Sequence, residues 1–284
     1  MKKIICLILA VISVLGLLSG CNIANNEPPE VGFLVAGQFS GYRLGTVEEL
    51  VSEKFLCEQI DSPIVVKYNT VEKGLEALRA NKIYGFALPG VYADAEIEKS
   101  YAFMKLTLPF VDKHLRAVSL SSSKYILPID AALTSIRNDG TADKIRRAYS
   151  PYADANDAYV RPTEFDAKKN RVITIGICSD EAYPYNFRNE SGELTGINVD
   201  VAHEIAKGIS ADLVIKEYAE DKLFEALESG EVDLIMSQYS LAENEKVSVK
   251  YAYSDTYCDA STHILIRSPL ADFTDEELEA KKAK

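Results

Sequence analysis

Hydrophobic and polar positions alternate along the chain with two different periods, which predict strands and helices in turn. Short apolar runs between turn residues, such as 63–68, 83–90 and 171–178, predict buried strands. Stripes with apolar residues three or four positions apart, such as 70–82 and 199–209, predict helices of about ten residues. Strands that alternate with helices indicate an α/β fold with largely parallel sheets.

The same patterns predict further elements on both sides of an interruption. The interruption is a polar and charged segment, 153–170, which we interpret as a linker. The further strands cover 39–44, 104–108, 115–121, 211–218, 232–239 and 262–268, and the further helices cover 47–56, 91–99, 221–230 and the two parts of 128–150 on either side of Asp139-Gly140. A turn is predicted at 45–46, residues 268–284 form a tail, and its charged end over 277–284 is predicted to fray.

Ligands of open α/β folds bind beside the carboxyl ends of the strands, at the point where the strand order reverses. The residues that directly follow the predicted strands are therefore the first candidates for a binding site. These segments are 45–47, 88–92, 179–185 and 238–246.

The first twenty residues predict export from the cytoplasm. After a basic start, the apolar run 4–18 has the length of a signal-peptide core and is short for a membrane span. Leu18-Ser19-Gly20-Cys21 resembles the lipobox of bacterial lipoproteins. The resemblance implies a signal peptide over 1–20, a lipid such as palmitate on Cys21, and a flexible tether over 21–38 that holds an extracytoplasmic protein at the bacterial cell membrane. The alternative is an uncleaved membrane anchor with a chance cysteine.

Composition narrows the class of protein. The chain has 284 residues, of which 47% are hydrophobic, enough for one two-lobed domain or two small ones. A formal net charge of -12 argues against nucleic acid and anionic membrane surfaces as partners. Beyond Cys21 the cysteines are Cys57, Cys178 and Cys258, without a C-x-x-C pair, so neither a metal site nor a cofactor is expected. Free buried thiols are favoured over a disulfide between Cys178 and Cys258.

Six runs of the sequence carry a shared resemblance. They are 42–55, 63–90, 131–149, 173–206, 223–245 and 251–257. The most specific parts are NDGTADKI at 138–145 and the stretch from Tyr183 to Ala206. Together these runs resemble the bacterial extracellular solute-binding proteins of the amino-acid type, which feed ABC importers. The resemblance implies a two-lobed periplasmic-binding-protein-like (type II) fold that binds a small-molecule ligand and delivers it to an ABC permease.

The order of the runs is changed relative to that family. Runs after the linker resemble the start of the family's first lobe, and runs before it resemble the second lobe and the return to the first. The simplest hypothesis is a circular permutation, in which 39–152 forms lobe 2 and the return segment, 153–170 joins the old termini, and 171–267 forms the main part of lobe 1. A linker of about eighteen residues spans up to roughly 60 Å, and domain termini tend to lie close together. The alternative is two incomplete domains that pair with another chain.

The resemblance assigns binding roles to individual residues. Tyr185 matches the aromatic residue that packs on the ligand, and Tyr239 and Ser240 match positions that offer backbone and hydroxyl contacts. Gly45 and Thr46 match the turn of lobe 2 that binds the ligand's carboxylate. Each assignment has a structural alternative, because a tyrosine in such a turn can belong to the core and a threonine before a helix can simply cap it.

Three positions depart from the family's pattern. Glu245 stands where the family has an arginine that clamps the carboxylate, Pro89 where it has an aspartate that accepts the ammonium, and Glu220 near a common aromatic position. A cleft with these glutamates, Tyr185 and Tyr239 would prefer a cationic or polar ligand over a simple zwitterion. The alternative is that the glutamates are solvated and the site is relaxed or lost.

Three classes of function remain. Capture of a small polar solute, an amino acid or a cationic amine, for an ABC importer is favoured. A ligand-sensing or degenerate binding lipoprotein without a transport role is the alternative. An enzyme is not expected, because His114, His203 and His263 fall inside strand and helix patterns and form no catalytic constellation.

Overall fold

Two five-stranded β-sheets, a two-stranded hairpin and six α-helices make up the part of the chain that the structure describes. The structure is a computed structural model, and it describes residues 36–48, 50, 56–57, 60–100, 102–106, 114–154, 156–162, 171–236 and 249–269. The strands are β1 (Arg43–Val47), β2 (Ile64–Tyr68), β3 (Gly85–Pro89), β4 (Phe103–Lys105), β5 (His114–Leu120), β6 (Val172–Cys178), β7 (Phe187–Arg188), β8 (Leu194–Thr195), β9 (Asp212–Tyr218), β10 (Leu234–Met236), β11 (Tyr251–Asp259) and β12 (Thr262–Arg267). The helices are α1 (Val71–Arg79), α2 (Gly90–Lys99), α3 (Ile126–Asn138), α4 (Thr141–Ala148), α5 (Ile197–Gly208) and α6 (Leu223–Ser229), with short 3-10 helices at Ala36–Phe39 and Glu220–Lys222.

Each large sheet defines one lobe. The sheet of lobe A has the strand order β2-β1-β3-β12-β4, in which β1, β2 and β3 run parallel and β12 pairs antiparallel with β3 and β4. The sheet of lobe B has the order β11-β5-β10-β6-β9, in which β10, β6 and β9 run parallel and β5 is antiparallel to both neighbours. The predicted α/β fold with two lobes is confirmed.

Strands from both sides of the 153–170 segment occur in each sheet. β12 follows that segment in sequence but lies in lobe A, and β5 precedes it but lies in lobe B. Two connections therefore cross between the lobes, one from β4 to β5 and one from β11 to β12. The two parts of the chain complete each other's sheets within one polypeptide.

The position of β12 corrects a predicted boundary. Residues 171–267 were expected to form the main part of lobe 1, which corresponds to lobe B, but β12 belongs to lobe A. The first five residues of β12 are all buried, and a strand covered in this way needs a neighbour on each edge, which β3 and β4 supply. The chain therefore passes into lobe A at Ala260-Ser261, before the predicted end of the lobe.

Several helix boundaries confirm the predicted signals. Thr70 caps α1, because its Oγ1 accepts a hydrogen bond from the backbone N–H of Lys73 at 3.3 Å. The predicted break at Asp139-Gly140 separates α3 from α4, with Gly140 at a φ of 80°. Gly230 ends α6 in the left-handed conformation, at a φ of 77°.

The predicted turn at Gly45 and Thr46 is wrong, because both residues lie inside β1. Gly45 pairs with Phe86 of β3, and a Cβ atom on Gly45 would lie 2.5 Å from Cδ1 of Ile83. Glycine is required there for close packing and not for a turn. The fold also begins before the predicted residue 39, since a 3-10 helix precedes β1.

The β7–β8 hairpin and strand β11 had no clear signal in the sequence. The β7–β8 hairpin is short, and β11 shows no regular alternation of buried residues because register shifts interrupt its pairing with β5. Of the predicted helix over 47–56, only residues 47–48, 50 and 56 lie in the described ranges. Cys57, Cys178 and Cys258 are free thiols, as expected, but of the three only Cys178 is buried, while Cys258 is half-buried and Cys57 is exposed.

One apolar core extends through both lobes. Phe86 and Leu88 of lobe A belong to the same cluster as Leu115, Ile173 and Ile205 of lobe B, and all five side chains are fully buried. Burial of each such side chain stabilises the fold by about 1.5–3 kcal/mol. The lobes are therefore held together by packing as well as by the two crossing connections.

The described part of the 153–170 segment has no helix or strand, yet side chains hold it against α5. Tyr159 Oη donates a hydrogen bond to Glu204 Oε1 at 2.8 Å. Arg161 Nε donates to Asp200 Oδ1 at 2.7 Å, and the Asp200 side chain is only 4% exposed. A linker prediction from polar composition therefore missed a docked segment.

Candidate functional site

A cleft with a volume of about 640 Å³ lies between the two lobes. Its walls are formed by Val47, Leu50, Thr70, Val71, Glu72 and Tyr92 from lobe A and by Pro151, Glu181, Tyr183, Phe187 and Arg188 from lobe B. Apolar and aromatic side chains are combined with a few charged groups. Both the size and this composition suit a small-molecule ligand.

The cleft lies at the carboxyl ends of parallel strands in both lobes. In lobe A, β1 ends at Val47, the helix after β2 supplies Glu72, and the helix after β3 supplies Tyr92. In lobe B, the loop after β6 supplies Glu181 and Tyr183. In each lobe the first strand lies between the second and third, as β2-β1-β3 and as β9-β6-β10, so the strand order reverses there. Open α/β sheets bind their ligands at this position.

On the side of lobe A, the amino end of α1 forms the wall. Thr70, Val71 and Glu72 all line the cleft there. A helix amino end carries a partial positive charge, so the carboxylate of Glu72 is favourably placed for the helix while it also faces the cleft. Within the described residues, neither Glu72 nor Glu181 forms an ion pair with a lysine or arginine.

On the side of lobe B, aromatic rings form the wall. The ring centroids of Tyr183 and Phe187 lie 4.6 Å apart, and Phe187 contacts Tyr149 edge-on at 6.0 Å. Arg188 Nη2 donates to both carboxylate oxygens of Glu217, at 2.9 and 2.7 Å. The positive charge of Arg188 is therefore matched by a carboxylate of its own lobe.

A buried amide network fixes the loop that carries these groups. Asn186 Nδ2 donates to the carbonyl oxygens of Cys178 at 3.1 Å and Asp180 at 2.7 Å. Asn198 Nδ2 donates to Asn186 Oδ1 at 3.1 Å, and Tyr257 Oη donates to Asn198 Oδ1 at 2.8 Å. Tyr257 lies on β11, the strand that precedes the connection into lobe A. The network therefore joins the cleft loop to that strand.

Tyr92 and Tyr183 connect the two walls across the cleft. Their ring centroids lie 6.2 Å apart in an edge-to-face arrangement. Burial raises the pKa of Tyr92 well above its usual range, and the hydrogen bond with Tyr183 and the charge of Glu72 raise it further. This tyrosine pair is a direct contact between the lobes at the ligand-sized opening.

A second polar contact between the lobes involves Glu96. The hydroxyl of Tyr152, in the segment after α4, donates a hydrogen bond to Glu96 Oε1 on α2. Lys99 Nζ lies 3.5 Å from the centroid of the Tyr152 ring, a cation–π arrangement. Burial raises the pKa of the Glu96 carboxyl, although the hydrogen bond from Tyr152 and the charge of Lys99 oppose the shift.

None of the predicted ligand-binding residues among the described ones lines the cleft in this structure. Tyr185 is 2% exposed and belongs to the core, and Gly45 and Thr46 are enclosed within β1. Pro89 is buried at the start of α2, and Glu220 is exposed on the 3-10 helix after β9. Tyr239, Ser240, Glu245 and the lipidation residue Cys21 lie outside the described residues. Their roles stay predictions.

Neighbouring residues of the predicted segments do reach the cleft. Segments 45–47, 88–92 and 179–185 each supply at least one lining side chain. In the third segment Glu181 and Tyr183 line the cleft, whereas Tyr185 packs toward β11, where burial raises its pKa. A tight turn, in which the backbone N–H of Tyr185 donates to the carbonyl oxygen of Ala182 at 2.7 Å, separates the directions of the two tyrosines.

Two other features, a metal site and a membrane span, are absent from the described ranges. These ranges hold no group of three histidine, cysteine, aspartate or glutamate side chains arranged to bind a metal ion. They also hold no helix with the length and apolar character of a membrane span. The apolar run 4–18 lies outside these ranges.

Parts of the chain are similar to known binding proteins. The chain is 31% identical over 114 residues to a probable histidine-binding protein of Campylobacter jejuni, covering 40% of this chain and 44% of that protein. It is 30% identical over 93 residues to the histidine-binding periplasmic protein of Escherichia coli K12, covering 32% of this chain and 35% of that protein. Among solved structures, the arginine-bound form of domain 1 from TmArgBP is 28% identical, with 40% of this chain and 93% of that chain covered and a TM-score of 0.29.

The chain spans less than half the length of these two curated relatives. Residues 173–276 match the family described as bacterial extracellular solute-binding proteins, family 3. This family consists of binding proteins by its description, which is the class that the sequence favoured over an enzyme. The resemblance inferred from sequence is confirmed over residues 173–276, which match this family.

Proposed function

We propose that this protein captures a small polar solute of the amino-acid class outside the cytoplasm and delivers it to an ABC importer. The single observation that carries the proposal is the cleft between lobes A and B, because its walls come from the carboxyl ends of parallel strands in both sheets. A ligand there contacts both lobes at once. The family match over 173–276 and the names of the relatives support the same function.

Closure of the lobes provides the signal that the ligand is bound. Two connections cross between the lobes, and the one from β11 to β12 consists of Ala260-Ser261. Short crossing segments of this kind act as hinges in two-lobed binding proteins. The Tyr92–Tyr183 pair spans the opening, so a bound solute changes the contact that holds the walls together. The permease then recognises the closed form.

A circular permutation accounts for the order of the sequence. Strand β5, which precedes the 153–170 segment, lies within lobe B, and β12, which follows it, lies within lobe A. In this proposal the 153–170 segment joins the termini of an ancestral chain, and new termini arose next to a crossing connection. Completion of both sheets by a single polypeptide supports this origin over pairing between two chains.

Attachment to the membrane through a lipid on Cys21 is part of the proposal. The lipobox-like sequence before Cys21 supports it, and the polar residues 22–30 serve as the tether. A tethered binding protein stays near its permease, which raises its effective concentration there. Mass spectrometry of the protein isolated from bacterial membranes tests this point, because cleavage before Cys21 and a diacylglyceryl adduct are expected.

Calorimetric melting of the purified full chain against a panel of amino acids and other small solutes tests the function. A solute at about a hundred times its Kd stabilises the protein by about 2.7 kcal/mol, and small-angle scattering should show a smaller radius of gyration when the lobes close. Tyr183→Ala is expected to remove both effects, while Tyr251→Ala, on a lobe B surface outside the cleft, keeps them. A panel in which no solute changes the melting temperature or the radius would contradict solute capture.

A further inference from the structure

The charged groups of the cleft are unbalanced in favour of carboxylates. Glu72 and Glu181 line it from opposite lobes, and both are exposed. Arg188 is the single basic side chain among its lining residues within the described ranges, and Arg188 is engaged by Glu217. A ligand that enters between the lobes therefore meets negative charge on both sides.

In addition to the carboxylates, the cleft offers aromatic rings that can contact a cation. Tyr92, Tyr183 and Phe187 line the same cleft, and their rings contact one another across and along its walls. The face of an aromatic ring is negative, so it attracts an ammonium or guanidinium group. Carboxylates together with ring faces form a better environment for an organic cation than for an uncharged amide.

Neighbouring titratable groups respond to this negative potential. The charge of Glu72 contributes to raising the pKa values of Tyr92, Tyr152 and Glu96, although burial is the largest cause in each case. A group that becomes negative is disfavoured there, and a positive group is favoured for the same reason. Tyr92 lines the cleft, while Glu96 lies on the same helix and Tyr152 directly follows the lining residue Pro151.

The molecule already places one ammonium group in such surroundings. Lys99 Nζ lies 3.5 Å from the centroid of the Tyr152 ring, and its charge acts on the carboxyl of Glu96. This arrangement of ammonium, ring and carboxylate lies beside the cleft, at the contact between the lobes. It illustrates the geometry that a ligand cation can adopt against Glu72, Glu181 and the neighbouring rings.

We infer that the solute is an organic cation whose ammonium or guanidinium group lies between Glu72 and Glu181 and against the tyrosine rings. The inference rests on the proposed solute-binding function and specifies its ligand class. It assigns selectivity to residues other than Glu220 and Glu245, the acidic residues singled out from sequence. Among amino acids it favours those with basic side chains, and it extends to diamines.

Titration calorimetry on the purified full chain with four probes tests the inference. The probes are L-arginine, 1,4-diaminobutane, L-glutamine and L-glutamate, which differ in net charge, and the last two have nearly the same size and shape. At low salt we expect the two cations to bind at least about tenfold more tightly than glutamine, and glutamate more weakly still. Raising the ionic strength should weaken arginine binding more than glutamine binding.

Charge-removing variants identify the groups responsible. Glu72→Gln and Glu181→Gln are each expected to weaken arginine binding by about tenfold, with little change for glutamine. Glu225→Gln is the matched control, because Glu225 is an exposed glutamate outside the cleft that pairs with Lys222. All three positions are exposed, so the variants should fold, and circular dichroism with thermal melting checks this.

The outcomes separate this inference from the function on which it rests. Glutamine or glutamate binding as tightly as arginine would overturn the cationic class while leaving solute capture intact. Equal losses of arginine and glutamine affinity in Glu72→Gln and Glu181→Gln would also overturn it, since charge would not be the cause. If neither cation binds but another solute of the wider panel does, the inference fails and the proposed function stands. Failure of every solute overturns both.

Discussion

Lobe A and lobe B both have apolar cores and both bury some polar side chains, but in lobe B several of these side chains form one connected hydrogen-bond network. The interior of lobe A is dominated by large apolar side chains, among them Phe39, Leu44 and Phe86, all fully buried. Lobe B has an apolar core too, but its α5 also buries Asp200 and Asn198, which hydrogen bond to other parts of the chain. Apolar packing is tolerant of direction, whereas each buried polar group needs a specific partner.

This difference shows which part of the fold is specified locally. The apolar stripes of lobe A can be recognised within about a dozen residues. The polar contacts of lobe B join residues that are 39 positions apart, Arg161 and Asp200, or 59 apart, Asn198 and Tyr257. Substitutions in the two lobes should therefore have separable consequences, which the following variants test in order of decreasing effect.

Phe86→Ala should have the largest effect on stability. The Phe86 side chain is fully buried at the centre of lobe A and closely contacts Gly74, where a Cβ atom would lie 2.1 Å from its Cζ. Truncation removes this packing and leaves a cavity, so the free energy of unfolding should fall by about 3–5 kcal/mol. Urea denaturation measures it. Met104→Ala, at a residue 43% exposed in the same lobe, should change it by less than about 1 kcal/mol.

Arg161→Leu should have the next largest effect and should act on lobe B. The substitution leaves the carboxylate of Asp200 buried without its cation, and we expect a loss of about 2–4 kcal/mol, reduced because Arg161 is 20% exposed. Lys105→Leu in lobe A removes a more exposed pair with Asp94 and should cost about 1 kcal/mol or less. Equal losses in urea denaturation would show that the docked segment adds nothing specific.

Tyr257→Phe tests the amide network of lobe B with a smaller change. It removes the hydroxyl that donates to Asn198 Oδ1, and the free energy of unfolding should fall by about 0.5–1.5 kcal/mol. Tyr185→Phe is the matched control, because the Tyr185 hydroxyl is equally buried but has no hydrogen-bond partner within the described residues. That control should be neutral or stabilising. A loss in Tyr185→Phe as large as that in Tyr257→Phe would contradict the assigned network.

The smallest expected effect is a dependence of stability on pH, which His203 of lobe B should cause. Burial lowers the pKa of His203, and the charge of Arg161 contributes, while the hydrogen bond with the Pro162 carbonyl opposes the shift. The unfolded chain then binds more protons than the folded one, so stability is complete above the unfolded pKa of about 6.5 and falls as the pH drops toward the lower folded value. Melting between pH 7.5 and about 5 should show a shallower decline for His203→Gln than for the wild type.

Local sequence signals predicted much of the fold. The cap at Thr70, the break at Asp139-Gly140 and the end of α6 at Gly230 each depend on the chemistry of one or two residues, and all three are confirmed. The hydrophobic pattern of β12 alone could not place this strand in lobe A. Its first five residues are all buried, and such a strand fits the interior of either sheet. The position of Gly45 within β1 depends on the side chains of other strands and has no local signal.

The candidate site was predictable by segment but not by side chain. The rule that ligands bind after parallel strands identified 179–185 as a candidate, and this segment lines the cleft. It could not separate Tyr183 from Tyr185, because both are tyrosines in one turn and their directions depend on tertiary contacts. Tyr92 lay in the candidate segment 88–92 but was not singled out, and Glu72 lay in no candidate segment, although each belongs to a helix that directly follows a strand.

The return of β12 to lobe A has a consequence for the proposed lipid anchor, because both ends of the described chain lie in the same lobe. The first described residues, Ala36 to Phe39, and the last strand both belong to lobe A, since Phe39 packs beside Gly85 of β3. A tether attached to residues before Ala36 would hold this lobe near the lipid surface. With that anchor, closure of the cleft would move lobe B relative to an anchored lobe A.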